Sequence, residues 1–190
     1  MTDVRTPERL VVHEVVDETD PASIQGWQLA VMHADPDFPE ALQATLLFVC
    51  VGDEVLLIEK RRGHGAGLIN APGGKLEGGE SPRACALRET REEIGIEVDD
   101  ARLLGELRFQ DVSGERVRGW VFRGSAYRGR PVTTAEAVPC WHLRDAMPYG
   151  EMWPGDRFWI PWLLADHAFR ATLLCRGEQV LEVLVSLVEH

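Results

Sequence analysis

One stretch constrains this chain more than any other. Residues Gly73 to Val98 read GGKLEGGESPRACALRETREEIGIEV. Ser81-Pro82 is a helix entry: Ser accepts from an orphan N–H, and Pro at the first helical position has no N–H to waste. Gly95 is the stop. A helix is therefore expected over about residues 82–94. At about 100° per residue, Glu89, Glu92 and Glu93 share one face, and Leu87, Thr90 and Ile94 form the face expected to be buried.

Carboxylates three and four residues apart on a helix repel, at roughly 0.2–0.5 kcal/mol per pair. The negative end of the helix dipole adds to the penalty, and Arg88 and Arg91 relieve part of it. A solvated acidic face is the ordinary explanation for such a helix. It requires neither a glycine-rich loop in front nor a fixed register of Gly, Glu and Arg. A hard divalent cation explains both, because Mg²⁺ takes oxygen ligands, few of them from protein, and leaves the rest to water and phosphate. The loop PGGK suits the same chemistry. Backbone without side chains can approach a diphosphate closely, and Lys75 is a mobile cation for phosphate oxygens. A bound metal would lower the pKa of its water, so the expected reaction is attack of water on a phosphorus of an X-diphosphate.

The stretch resembles the Nudix box, G-x5-E-x7-R-E-U-x-E-E-x-G-U, where U is a bulky aliphatic. Gly74, Glu80, Arg88, Glu89, Glu92, Glu93, Gly95 and Ile96 fall in register, and Thr90 departs at the first U position. The resemblance implies an α/β/α sandwich with a mixed sheet and a loop–helix–loop Nudix box. It implies that Glu89, Glu92, Glu93 and the Gly73 carbonyl hold Mg²⁺ (or Mn²⁺), and that Arg88 orients the glutamates through Glu80. Glu136 is expected as a further metal ligand from outside the box.

Beyond the box, RGHGAGLINAPGGK and PCWHLRDAMPYGEMWPGDRFWIP resemble the oxidised-purine nucleoside triphosphatase branch of that family. By this resemblance Asn70 would bond a base edge and Trp153 would stack on the base. Asp156 would read the purine edge, and Trp159 would close the pocket. Thr45 and Lys60 would line the pocket and sugar site, with Phe109 as an apolar wall. Two departures bear on specificity. Gly155 stands where the branch has the first of two adjacent acids, and His64 and Ile69 stand where it has aromatic residues. With no neighbouring acid to raise its pKa, Asp156 is expected to be ionised, to accept hydrogen bonds only, and to favour guanine-type bases.

The implied function is a pyrophosphohydrolase of oxidised purine nucleoside triphosphates, giving the monophosphate and pyrophosphate. A Nudix hydrolase of a nucleotide sugar, ADP-ribose or another nucleoside diphosphate derivative is the alternative. A third reading is a binding module that senses a nucleotide without cleaving it, against which the intact glutamates count.

Composition sets the outer limits. The chain has 190 residues, enough for one domain with a real core, and carries a net charge of −11. That charge argues against a nucleic-acid polymer as partner, since a polymer needs a basic footprint. A small-molecule nucleotide can be met locally by metal, Lys and Arg. No apolar run reaches the roughly 18 residues of a membrane span, and MTDVRTPERL lacks the apolar core of a secretory leader. Cys50, Cys85, Cys140 and Cys175 are widely spaced. They are expected to be reduced, mostly buried thiols of a cytoplasmic protein, either monomer or homodimer. Residues 1–41 are expected to form an extension, packed as an arm or partly mobile, with the catalytic domain over 42–190. Within that domain, apolar runs around Gly52-Asp53 and around Arg176-Gly177-Glu178 predict hairpins.

Overall fold

The computed structural model describes residues 9–13, 32–35, 38 and 42–188. The remainder of the N-terminal extension lies outside the described residues. In chain order the strands are β1 (Arg9–His13), β2 (Leu42–Val51), β3 (Glu54–Lys60), β4 (Ile69–Asn70), β5 (Glu97–Val98), β6 (Arg102–Asp111), β7 (Arg116–Gly124), β8 (Tyr127–Arg128), β9 (Ala137–Leu143), β10 (Phe169–Arg176) and β11 (Gln179–Leu187). Helix α1 is Pro82–Ile94 and helix α2 is Asp156–Leu164.

Nine strands form a mixed sheet in the order β1-β11-β10-β6-β7-β2-β3-β4, with β9 also paired to β3. The pairs β10/β6 and β2/β7 are parallel, and the other pairs are antiparallel. Strand alternation sends successive residues to opposite faces. Along β2, Phe48 and Cys50 enter a core with Trp159, Ile160, Trp162 and Leu163 of α2, while Leu47 and Val49 enter a second core with Ala86 and Ile94 of α1. The sheet thus lies between the two helices, the α/β/α arrangement expected from the sequence.

The local signals behave as their chemistry dictates. Ser81 Oγ accepts from the Ala84 N–H at 3.2 Å. Gly95 takes the left-handed conformation, φ 76°, that a side chain disfavours, and its N–H closes the helix on the Arg91 carbonyl. The buried side of α1 differs from the Leu87–Thr90–Ile94 stripe. Cys85, Ala86, Thr90, Glu93 and Ile94 are buried, and Leu87 is only half-buried. The helix is rolled toward the glycine loop, so the acidic face and the buried face overlap at Glu93. Thr90, the departure from the box, finds its hydroxyl partner within the helix, donating to the Ala86 carbonyl at 2.7 Å.

Within the N-terminal extension, RLVVH forms β1 and pairs with β11. Residues 32–35 and Phe38 lie against a buried polar cluster. Fully buried Arg108 donates to the carbonyls of Met32 and His33 and to Glu106, and its guanidinium stacks over Phe38. Glu106 also takes ion pairs from Arg118 at 2.9 Å and Arg170 at 2.8 Å. The His33 ring reaches Thr172 and Ser186 hydroxyls at 2.9 and 2.7 Å. These contacts tie this part of the extension to β6, β10 and β11. All four cysteines are free thiols, two buried and two half-buried. No helix among the described residues is long and apolar enough to cross a membrane.

Candidate active site

Arg88 is the hub of the loop–helix unit. Its fork holds Glu80 at 2.7 and 3.2 Å, and Nη1 donates to Glu89 at 2.9 Å and Glu92 at 3.0 Å. A planar guanidinium can serve three carboxylates because its five donors point in fixed, divergent directions. The Arg88 hydrogen bonds and the Glu77 N–H hold the Glu80 carboxyl down to about 2. The same three acids raise the guanidinium's pKa further.

Glu93 faces inward and is 1% exposed. It accepts from the Gly73 N–H at 2.9 Å and lies 3.6 Å from Lys60 Nζ. Burial raises its pKa against the lowering pull of Gly73 and Lys60. The loop can come this close because it lacks side chains. A Cβ on Gly73 would fall 1.9 Å from the Thr45 carbonyl, and one on Gly74 would fall 2.3 Å from the Glu89 carboxylate. Gly73 is thus required by contact with fixed backbone, whereas a side chain at Gly74 would displace the Glu89 carboxylate. The Gly74 carbonyl accepts from Thr45 N and the Pro72 carbonyl from Leu47 N, which clamps the loop to β2. Lys75 is exposed at the loop's end.

Glu136 approaches from the loop before β9 and adds to the negative field at Glu93. Its carboxylate is ion-paired with Arg62. Thr134, which sequence reasoning missed, sets this loop: its hydroxyl donates to the Glu93 carbonyl at 2.8 Å and accepts from the N–H groups of Glu136 and Ala137. Nothing in TTAEA distinguishes that Thr from its neighbour. Among the described residues no three His, Cys, Asp or Glu side chains converge on one point, since Arg88 draws Glu89 and Glu92 to itself. The donor set fits a hard cation all the same: carboxylates beside a glycine-lined backbone loop, with the Cys85 thiol turned away onto the Gly74 and Lys75 carbonyls.

The residues expected to bind the base are carried on both faces of the sheet. Thr45 alternates with Leu47 and Val49 onto the α1 face, where it is 1% exposed and donates to Cys85 Sγ at 3.4 Å. It packs under the helix. Lys60, on the same face as Leu56 and Ile58, stands beside Glu93, so its cation serves the acidic cluster. Asn70 is paired with Ile58, which places its side chain on that face too. Its Oδ1 accepts from the Ala71 N–H at 2.8 Å, leaving its amide donors for other partners.

On the other face, Phe109 pairs in register with Leu173 and packs against the α2 core. Gly155 presses on that same Leu173, so a Cβ there would meet its Cδ2 at 2.5 Å. Asp156 follows, 3% exposed, with Oδ2 lacking a hydrogen-bond partner among the described residues. Burial pushes its carboxyl up to about 7, and the nearby Trp159 N–H offsets this only partly, lying outside hydrogen-bond geometry. Burial thus acts against the expected ionised state of Asp156, in the direction a second acid would have pushed it. Burial, with a smaller push from Asp156, raises Tyr149 to about 12. Trp159 is fully buried between Phe48 and Phe169 in the α2 core. Trp153 is half-buried, and its indole stacks on His64 with centroids 5.0 Å apart.

The NUDIX domain profile matches residues 41–163. The chain is 35% identical over 147 residues to an oxidized purine nucleoside triphosphate hydrolase of Danio rerio, covering 77% of this chain and 90% of that protein. It is 37% identical over 126 residues to the protein of that name from Mus musculus, covering 66% and 81%. Among solved structures, a Mutator MutT protein from Bacillus halodurans superposes with a TM-score of 0.68 at 26% identity, over 76% of this chain and 97% of that one. The profile covers most of the chain and includes the whole Arg88-centred loop–helix unit, and on that ground the chain belongs to the Nudix family.

Proposed function

We propose that this protein hydrolyses nucleoside triphosphates carrying an oxidised purine, adding water across the α–β phosphate bridge to release nucleoside monophosphate and pyrophosphate. The observation that carries the reading is the Arg88 hub, which gathers Glu80, Glu89 and Glu92 beside buried Glu93 and a glycine loop that admits no side chain at Gly73. Nudix hydrolases act on small nucleotides with divalent metal, and the relatives named above supply the substrate class. Glu89, Glu92, Glu93 and the Gly73 carbonyl would hold Mg²⁺ or Mn²⁺, with Glu136 joining once released from Arg62. When bound, the ion supplies charge for the phosphate oxygens and lowers the pKa of water.

The chain's own groups do the rest. Arg88 orients the glutamates and keeps Glu80 ionised at the rim. Lys75 and Lys60 offer cations to phosphate oxygens from two sides of the acidic cluster. Asp156 and Tyr149 are the polar groups deep on the α2 face, and the partnerless Asp156 Oδ2 suits a donor on a base edge. Asn70 presents its amide donors from the sheet edge, and Trp153 offers a stacking surface. Residues 42–190 would form the catalytic domain and 1–41 an arm tied to it through β1 and Arg108. Four free thiols suit a reducing cytoplasm.

The test is a hydrolysis screen over unmodified and oxidised nucleotides, ADP-ribose and nucleotide sugars, with phosphate and pyrophosphate detected separately. Mg²⁺-dependent pyrophosphate release from 8-oxo-dGTP, at least about tenfold more efficient than from dGTP, is expected. That factor corresponds to one good base-edge interaction. Preferential cleavage of a nucleotide sugar or ADP-ribose would overturn the substrate assignment. Nucleotide binding without turnover would overturn the enzyme reading.

A further inference from the structure

One face of the Trp153 indole is taken by the chain itself. His64 stacks on it with centroids 5.0 Å apart and planes 21° from parallel. The loop presses further at the next residue, where a Cβ on Gly65 would lie 3.2 Å from Trp153 Cζ2 and 3.5 Å from Nε1. A third ring between the two would need centroids roughly 7 Å apart, two van der Waals gaps. No base can therefore stack on that face while His64 is in place.

The loop that carries His64 is fixed at its base, and its tip is a compact unit held by turn bonds from Ala66 N to the Gly63 carbonyl at 3.2 Å and from Leu68 N to the Gly65 carbonyl at 3.0 Å. Gly67 N donates to the Lys60 carbonyl at 2.7 Å and Lys60 N to Leu68 at 3.0 Å, closing the neck. Arg61 Nη1 donates to the Thr134 carbonyl at 3.2 Å, and Arg62 pairs with Glu136. At the tip, Gly63 and Gly67 flank His64 at φ +76° and +89°, with nothing within 4 Å of where a Cβ would be. His64 itself is exposed. A polar, exposed ring on a glycine-hinged tip covers an apolar ring on a fixed element.

We infer that His64 is an internal plug on Trp153: a planar ligand stacks there only after the Gly63–Gly67 tip lifts the imidazole away. This rests on the reading that Trp153 receives a nucleotide base. Its consequence is quantitative. A site open only a fraction of the time binds with its intrinsic affinity reduced by that fraction, whatever the ligand. His64 thus weakens all stacking bases by one common factor. A residue that contacted the base would alter different bases unequally.

The experiment compares wild type with His64→Ala, His64→Phe, Trp153→Ala and the double variant His64→Ala/Trp153→Ala. KM and kcat are measured on 8-oxo-dGTP, dGTP and dATP, and binding of the corresponding monophosphates by calorimetry. His64→Ala is expected to lower KM and the monophosphate Kd by about 2- to 10-fold, the worth of one aromatic pair. The factor should be the same for every base, with kcat unchanged. His64→Phe keeps a ring and should stay near wild type. In the Trp153→Ala background the His64→Ala gain should vanish, as coupling of one pair requires. An unchanged or raised KM in His64→Ala, unequal factors among bases, or a gain that persists without Trp153 would overturn the plug. If wild type ignores 8-oxo-dGTP but cleaves another nucleotide, the substrate reading fails, and the same variants test the plug on that nucleotide.

Discussion

Two carboxyl groups on opposite sides of one sheet meet opposite fates. Glu80, at the rim of the α1 side, is gripped by the Arg88 fork and held down to about 2. Asp156, at the start of α2, is buried with an oxygen lacking a hydrogen-bond partner among the described residues, and is pushed up to about 7. The difference is not residue type. It is whether the chain delivers a cation before it removes water. On the α1 side an arginine arrives from the same helix, so the acids stay charged in a partly wet site. On the α2 side the fold removes the water, and proton uptake is the cheaper way to keep an acid there. The first arrangement suits holding cations and phosphates. The second suits an acid that can donate as well as accept.

The largest effect should come from the place where the two regimes meet. Glu93 is on the charged helix yet buried like Asp156. Glu93→Gln keeps the shape and removes the charge. Turnover should fall about 10³-fold or more, several kcal/mol of transition-state stabilisation. Stability should hold or rise, since a desolvated carboxylate is gone. Steady-state rates and a thermal melt decide it. Wild-type turnover would show that Glu93 is only a structural acid.

Asp156→Asn tests the other side through pH. A folded-state pKa raised above the ordinary 3.8 means that the folded protein holds a proton the unfolded chain has lost. Stability from this group is therefore full below about pH 4 and declines as pH rises to about 7, by up to about 4 kcal/mol for three units. The stability gap between wild type and Asp156→Asn should follow that curve, because other groups cancel in the difference. Base preference should turn with it. Below about pH 7 the protonated acid can serve adenine-type and guanine-type edges, and above it only an edge rich in N–H donors. A pH-independent gap in chemical denaturation would place the titration elsewhere.

Arg88→Lys sharpens the α1 half. Lysine keeps the charge but loses the planar fork, so it cannot grip Glu80 on two atoms while also reaching Glu89 and Glu92. Turnover should drop about 10- to 100-fold with a modest loss of melting temperature. Full activity would mean that charge alone suffices and that the geometry around Arg88 is incidental.

How legible each half was follows from the range of the forces that build it. The α1 unit is local. Ser81, Pro82, Gly95 and the Glu80–Arg88 spacing act within fifteen residues, and short-range rules read them. Its roll was not legible, because Glu93 turns inward only when β2 and the Gly73 loop arrive from outside the helix. The α2 side is assembled from afar. Phe109 is assigned to its face by strand parity, and Trp159 by the core that closes over it. Trp159 looked like a pocket aromatic and is fully buried between Phe48 and Phe169. The Asp156 environment depends on Leu173, Tyr149 and Trp159 meeting in space, which no spacing in the sequence encodes. The Arg108 cluster that ties down residues 32–35 and Phe38 had no sequence signal either, since an arginine on a strand is usually solvated.

Thr45→Val should have the smallest effect, and it tests the boundary between the halves directly. Resemblance places Thr45 at the substrate, and strand parity places it under α1, with its hydroxyl on Cys85 Sγ at 3.4 Å. Sulfur is a weak acceptor, so removing the hydroxyl strands little. Valine has the same branching and prefers a strand. Removing one polar group from a buried contact whose partner loses little is close to neutral, unlike removing half of a strong pair. Stability should shift by less than about 1 kcal/mol, with KM and kcat for the preferred nucleotide unchanged. A severalfold rise in KM with an unchanged melt would return Thr45 to the substrate. It would also mean that the α1 face, and not the α2 face with Trp153 and Asp156, receives the base, and the contrast between Glu80 and Asp156 would then be one of stability alone.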